Sequence, residues 1–426
     1  MTDAPTPTPV PTASAPQPPA PDGAWLRAET DRLLDFAVAA AHPVGGYGWL
    51  GEDGVLQADQ PVQTWVTCRM THVFALGHLL GRPGDGERAD AGIAALRGLL
   101  HDDVHGGWFS ALDPSGDPDA EGSDTSKGAY PTAFVVLAGA SATLAGRPGA
   151  RELLDDALDV LDRWFWSEEQ GMVADLWDRT FTDLEPYRGV NANMHTVEAL
   201  LTAADATGDA RWRSRAQRIL ERVVDGYARE SGWRLPEHYD ADWQPLPDYN
   251  TDERAHPFRP YGVTTGHLLE WSRLALHLRA ALGDGAPPWL LEGARGLFDT
   301  AVREGWDADG REGFVYTTDF DGTPVVRNRL HWVVTEGLGA ASALYQVTGE
   351  QAYADRYAQW WAHAERFFID RERGSWHHEL DETNTPVTTG TWAGKPDVYH
   401  AAQATLVPTL PLAPMLAAAL AQRAAR

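Results

Sequence analysis

Gly81-Arg82-Pro83-Gly84 and Gly146-Arg147-Pro148-Gly149 are one four-residue break written twice, and its reading decides the fold. Glycine reaches backbone conformations that other residues avoid, and proline cannot continue a helix, so each run predicts a tight turn between two helices. Working outward, the punctuation returns at Thr207-Gly208-Asp209, Leu282-Gly283-Asp284 and Thr348-Gly349-Glu350. The glycines step by 65, 62, 75 and 66 residues, which marks internal repetition.

A second mark lies out of phase with the first. Glycine is followed by a short aromatic or aliphatic run and then an Asp-rich turn. It occurs six times, at Gly46-Tyr47-Gly48-Trp49, Gly107-Trp108-Phe109, Gly171-Met172-Val173, Gly232-Trp233-Arg234, Gly313-Phe314-Val315 and Gly374-Ser375-Trp376. Such runs predict turns and small hairpins. Between the marks the pattern is helical: Leu153, Leu154, Ala157, Leu158 and Leu161 recur at i, i+3, i+4 spacing, and Leu96, Leu99 and Leu100 do so on a smaller scale. Each repeat is therefore a helix, a tight turn, a helix and a longer loop. A helical hairpin cannot cover its own apolar face, so six of them predict an all-α (α/α)6 toroid with short β-hairpins in the loops at its mouth, with an open helical solenoid as the alternative.

Composition narrows the class. The 426 residues carry 43% hydrophobic residues and 18 tryptophans, enough for a large core. The formal net charge of −26 repels nucleic acid and anionic membrane, and no apolar run is long enough to span a bilayer. Cys68 stands alone, so no intramolecular disulfide forms, which fits a reducing compartment. Residues 1–22 are rich in Pro, Ala and Thr and lack the basic start and apolar core of a secretory signal, so they read as a disordered tail on a cytoplasmic protein. Residues 23–426 read as one catalytic domain. The sequence leaves the oligomeric state open.

Polar residues invade each apolar helix start about 20–35 residues after a second mark. They include Trp65 and Arg69, Tyr130, Asn191 and His195, Arg259, His267 and Glu270, Trp332 and Glu336, and His400. In a closed ring six such starts converge on one mouth, where unpaired helix N–H groups add positive potential. That cavity suits a neutral polyol. A lone histidine on a helix is usually structural, and Trp65, Trp332 and Trp376 each fit a core. The recurrence in every repeat is what ordinary packing does not need. His277, His363 and His377 read as structural or surface residues. No metal motif or nucleotide cradle is present; His377-His378-Glu379 and His101-Asp102-Asp103-Val104-His105 are weak metal candidates.

Five stretches carry a family resemblance: Thr67-Cys68-Arg69-Met70-Thr71-His72, Asn191-Ala192-Asn193-Met194-His195, His256-Pro257-Phe258-Arg259-Pro260-Tyr261-Gly262, Gly266-His267 with Glu270-Trp271, and Lys395-Pro396-Asp397-Val398-Tyr399-His400. Over about residues 24–418 the chain resembles the N-acylglucosamine 2-epimerase superfamily, in the bacterial branch of mannose and sulfoquinovose isomerases. The resemblance implies an (α/α)6 barrel that isomerises a monosaccharide without metal or nucleotide. It implies that His267 and His400 are the catalytic pair, that Arg69, Asn191, His195 and Glu270 contact sugar or support a histidine, and that Tyr130, Trp332 and Glu336 join the pocket. Sulfoquinovose isomerases carry groups for a sulfonate where this chain has Pro257 and Pro396, so the likeness is closer to mannose isomerases.

The expected reaction interconverts D-mannose and D-fructose, with D-lyxose and D-xylulose as further substrates, through ring opening and a cis-enediol. Imidazole suits it because its pKa, about 6.5, lies near neutrality. His400 is expected to move the proton between carbons 1 and 2 and His267 to open the ring or reprotonate, with the reverse assignment as the alternative; Arg69 or a neighbouring donor is expected to steady the enediolate, and Glu270, one helical turn on, to orient His267. Alternatives are 2-epimerisation of mannose to glucose, sulfoquinovose isomerisation, glycoside hydrolysis on Glu270 and Glu336, and sugar binding without catalysis.

Overall fold

The computed structural model describes residues 20–425. The tail reading falls almost wholly on residues outside that range. Among the described residues thirteen α-helices follow one another: α1 Gly23–Ala37, α2 Thr64–Leu79, α3 Asp85–Arg97, α4 Ala129–Leu144, α5 Ala150–Val160, α6 Val190–Thr207, α7 Ala210–Leu220, α8 Thr265–Leu282, α9 Trp289–Gly305, α10 His331–Thr348, α11 Gln351–His363, α12 Tyr399–Leu406 and α13 Leu416–Ala424. No described helix is long and apolar enough to cross a membrane.

Sequence character sorts the helices into two layers. α4 carries no charged residue and is buried on all sides, from Pro131 to Ala142 without a break. α5, with charges between its leucines, buries only one stripe, including Leu153, Leu154, Ala157 and Leu158. The even-numbered helices from α2 to α12 form the inner ring, each packed on the next, and α12 returns against α2, so the ring closes. An amphipathic helix has water on one face, whereas an inner helix is walled by its two neighbours and its own outer partner.

The five turn glycines, Gly81, Gly146, Gly208, Gly283 and Gly349, all have positive φ, at 80, 67, 74, 57 and 69°. Only a residue without Cβ adopts these values without strain, which is why the punctuation is glycine. Five turns make five hairpins. The sixth has no turn, because it is made by the two ends of the chain: α1 is the outer partner of α12. The Thr30 and Thr405 hydroxyls meet at 2.7 Å, and the Trp376 indole donates to Glu29. α13 closes the base, with Leu416 and Leu420 in a cluster with Leu76 and Leu406. The chain before α13 is held there by His277, which donates to the Leu412 carbonyl at 2.6 Å.

The second marks are bends after the outer helices, and five of them close an antiparallel bridge, such as His101 with Trp108 and Ile369 with Trp376. At Gly232 there is only a turn. Small Asp-led hairpins follow in the loops; Asp240 Oδ1, for example, accepts from the amides of Asp242 and Gln244. The β structure is also more than local. The dipeptide before each of five inner helices pairs with the next repeat's loop: Val62–Gln63 with Ala111–Leu112, Lys127–Gly128 with Leu176–Trp177, Arg188–Gly189 with His238–Tyr239, Val263–Thr264 with Thr317–Thr318, and Arg329–Leu330 with Glu379–Leu380. The sixth tie joins the ends, with the Lys395 amide donating to the Leu50 carbonyl. Buried ion pairs brace the ribbons. Lys127, Arg329 and Lys395, just before α4, α10 and α12, meet Asp102, Asp309 and Asp370 at 3.0, 2.7 and 2.6 Å.

Candidate active site

All six inner helices point their N-termini at one cavity, about 520 Å³ with its open mouth included. Of the residues expected there, Trp65, Arg69, Tyr130, Asn191, His195, His267, Glu270, Trp332 and His400 line it. Glu336 stands behind His400. Arg259 lies outside, in an outer vestibule, with its guanidinium committed to both oxygens of Glu185 at 2.8 Å.

Arg69 is the centre of one wall. Its guanidinium lies 4.8, 4.6 and 4.8 Å from the rings of Trp65, Phe134 and Tyr399. It donates to Asp397 at 3.1 Å and to the Tyr130 hydroxyl at 3.0 Å, and its Nη2 stands 3.5 Å from His400 Nε2. Burial works to raise the Asp397 pKa, but the Arg69 charge and the hydrogen bond from the Tyr399 amide outweigh it and hold the carboxyl below the ordinary range. Burial, and then Arg69, push the His400 pKa well below 6.5, so that ring is neutral.

The two histidines share one geometry. His400 Nδ1 lies 3.0 Å from Glu336 Oε1, and His267 Nδ1 lies 3.0 Å from Glu237 Oε2. A carboxylate accepts, so in each ring Nδ1 carries a proton and Nε2 is left for the cavity, where the neutral His400 ring keeps its lone pair. The Trp332 ring lies between them, its centroid 5.1 Å from His267 and 5.9 Å from His400. Gly266 makes this possible, since a Cβ there would run into the Trp332 ring.

The orienting role expected of Glu270 falls to Glu237. Glu270 points instead along the barrel axis, 3.4 Å from Arg273 and 3.7 Å from His195 Nδ1. The spacing argument put it on the same helical face as His267, but Arg273, one turn further on, draws it inward. Burial, then Glu336, push the Glu270 carboxyl well above the usual range, and burial pushes the His195 pKa well down. His195, Glu198 and Glu270 have ligand-type atoms within 4.8 Å of one another. The set suits a metal ion poorly: Glu198 already accepts from the Tyr399 hydroxyl and the Gln403 amide, and Arg273 sits beside Glu270. The sequence stretch His101–His105 gathers no ligand set either, because Asp102 is taken by Lys127 and Arg179. In His377-His378-Glu379, Glu379 accepts from Asn328 and Trp392.

Sequence reasoning missed Glu237, His331, His378, Phe258 and Trp392 as site residues. His378 lines the cavity stacked on His331 at 3.8 Å. Glu237 and His378 share a position, that of the residue just before the second strand of a ribbon, whose carbonyl accepts from the first amide of an inner helix. Ser110, Asp175, Glu237, Tyr316 and His378 accept in this way from Thr64, Ala129, Val190, Thr265 and His331. The signal was present in the chain, because these residues stand three to five positions after the second-mark glycines.

The geometry is matched by relationship. Residues 45–404 fit the model of the N-acylglucosamine 2-epimerase (GlcNAc 2-epimerase) family. A D-mannose isomerase of Thermobifida fusca is 57% identical over 398 residues, 93% of this chain and 97% of the relative. One from Pseudomonas cannabina pv. alisalensis is 51% identical over 401 residues, 93% of this chain and 95% of the relative. A crystal structure of D-mannose isomerase superposes with a TM-score of 0.84 at 29% identity, across 91% of this chain and 97% of that one.

Proposed function

The chain belongs to the N-acylglucosamine 2-epimerase family, and on that footing we propose that it is a sugar isomerase that interconverts D-mannose and D-fructose. The observation that carries the reading is the pair of imidazoles at one cavity, each with Nδ1 on a carboxylate and Nε2 left free for the substrate.

The sugar opens first. His267 Nε2 takes the proton of the anomeric hydroxyl and delivers it to the ring oxygen, so the bond from carbon 1 to the ring oxygen breaks as the carbonyl forms. His400 Nε2 then takes the proton from carbon 2, and the carbon–hydrogen electron pair forms the double bond of a cis-enediol. Its oxygen at carbon 1 gathers negative charge, and Arg69, 3.5 Å from His400 Nε2, is the donor that steadies it. A proton passes from the carbon 2 hydroxyl to that oxygen, and His400 returns its own proton to carbon 1 on the same face as the carbon 2 oxygen becomes the carbonyl, which gives the ketose. Glu336 holds the imidazolium that forms between the two transfers.

Return of a proton to carbon 2 from the opposite face, by His267, would give glucose, so 2-epimerisation is the secondary outcome. The hydrolase reading fares worse. It needs two free carboxylates across a bond, about 5–9.5 Å apart. Glu336 has both oxygens engaged, by His400 and by Arg273, behind the histidine. Incubation of the purified protein with D-mannose, with products resolved by chromatography, tests the proposal. Fructose is expected as the main product. Glucose without fructose makes the protein an epimerase, and no turnover of any free aldose overturns the reading.

A further inference from the structure

Beside the sugar cavity lies the outer vestibule, about 790 Å³, which the chemistry above does not use. Four residues line both spaces: Trp65, Tyr130, Asn191 and Phe258. The first three stand at the starts of inner helices, as part of the rigid ring. Phe258 comes from the loop before α8. Its ring centroid lies 6.0 Å from Trp65, 5.5 Å from Tyr130 and 5.3 Å from Trp392, edge to face with each. Phe258 therefore closes the gap between the two spaces.

The loop that carries it is fixed on both sides. The Phe258 amide donates to His256 Nδ1 at 3.1 Å, and Arg259 grips Glu185 and lies 3.9 Å over the Tyr187 ring. The Pro260 carbonyl accepts from His238 at 2.7 Å. The vestibule itself is built for hydroxyls on an aromatic wall. Gln63, Ser110 and Asp124 line it, and so does Asp175, whose Oδ2 accepts from the Gly189 amide at 2.7 Å. Burial pushes the Asp175 carboxyl up to about 7, so near neutral pH it both donates and accepts. A ring face on Trp65 or Tyr130 with polar groups at its edge is the chemistry that holds a neutral sugar.

We propose that Phe258 is the specificity-determining partition that limits the substrate to a single sugar ring, and that the vestibule behind it takes a second neutral sugar ring once that partition is removed. The inference rests on the sugar-isomerase reading.

The test compares wild type with Phe258→Ala on mannose and on three disaccharides with mannose at the reducing end, linked through O-3, O-4 or O-6. Ketose formation gives kcat/KM for each. Wild type is expected to use the disaccharides at least 100-fold less well than mannose. Phe258→Ala should raise kcat/KM at least tenfold on one or more of them, with a smaller loss on mannose. Phe258→Leu, which keeps an apolar anchor in the loop, should gain less than Phe258→Ala. Trp392→Ala, which removes a ring that touches Phe258 but does not line the vestibule, should gain nothing. A wild type that uses the disaccharides as readily as mannose overturns the proposal, as does a folded Phe258→Ala or Phe258→Leu that gains on none. If wild type turns over no aldose at all, the isomerase reading falls instead. Calorimetric binding of the disaccharides to wild type and Phe258→Ala then still decides the partition, tighter binding to the variant supporting it and equal binding overturning it.

Discussion

The two halves of the active site hold their histidines by different means. His400 is embedded in a chain of buried charges, three of them on helices: Arg273 donates to Glu336 at 2.8 Å, Glu336 holds the ring at 3.0 Å, and Arg69 links it to Asp397, just before α12. His267 hangs on one side-chain hydrogen bond, from a loop residue. Glu237 Oε2 meets its Nδ1 at 3.0 Å, and Glu237 Oε1 is buried without a partner. The difference suggests a division of labour. A base that must become an imidazolium midway through a reaction benefits from a carboxylate that is itself fixed. An imidazole that opens the ring gains from a lighter hold.

The largest expected effects fall on the rings themselves. A general acid–base group contributes about 10²–10⁴-fold, and both His400→Ala and His267→Ala should lower kcat within that range. Isotope exchange separates the two. In deuterated water the His267→Ala enzyme should still exchange the carbon 2 hydrogen of mannose slowly, whereas His400→Ala should lose exchange altogether. Exchange retained by His400→Ala and lost by His267→Ala would invert the roles.

Acid should act most strongly on the His400 side and along the barrel axis. Burial lowers His331, which stacks beside His378 next to His400, to about 4, and does the same to His72 and His277. Their unfolded pKa is 6.5, so below that pH the unfolded chain takes up protons that the folded chain refuses. Stability is therefore complete above about 6.5 and is lost as pH falls towards 4, by about 3 kcal/mol for each of the three. Asp175 and Glu270, whose carboxyls burial pushes up, act in the opposite direction and lose stability as pH rises. They are outnumbered, since His195, His378 and His400 are also held neutral. Urea unfolding at pH 7.5, 6 and 4.5 should show falling midpoints, and His277→Gln should flatten the slope. A midpoint that rises towards acid would contradict the burial of these rings.

The same contrast explains what the chain disclosed in advance. The helix-borne half was legible, because five glycine turns set the hairpins and polar residues at apolar helix starts stand out against the leucines. Glu336 and His400 were found that way. Six hairpins were expected, but the pairing that makes the sixth was not legible, since α1 and α12 meet with no turn to announce them. The place of Glu237 was marked by its spacing from Gly232, but its role was not. A two-residue strand is too short to show a period, and its partner lies about 50 residues away, so only the folded ring brings its carboxylate to His267. Arg259 misled for a related reason. Its place in a helix-start motif was visible, but the Glu185 that claims it was not.

The finest test of the comparison removes a charge and keeps the shape on each side. Glu336→Gln takes away the carboxylate that steadies imidazolium and leaves the Arg273 guanidinium with a weaker partner. Loss of a group that orients a reactive residue costs about 10–100-fold, and this change should sit near the upper end. The loss should appear in kcat and not in KM, because the imidazolium exists only after the proton has moved. The acid limb of the pH profile should also move to lower pH, since a histidine without its carboxylate is harder to protonate. Glu237→Gln should cost about tenfold and leave that limb in place, because the amide oxygen still accepts from Nδ1 and no buried cation is stranded. If Glu237→Gln proves the more damaging of the two, the division drawn from the two supports fails, and His267 is the ring that carries the charge.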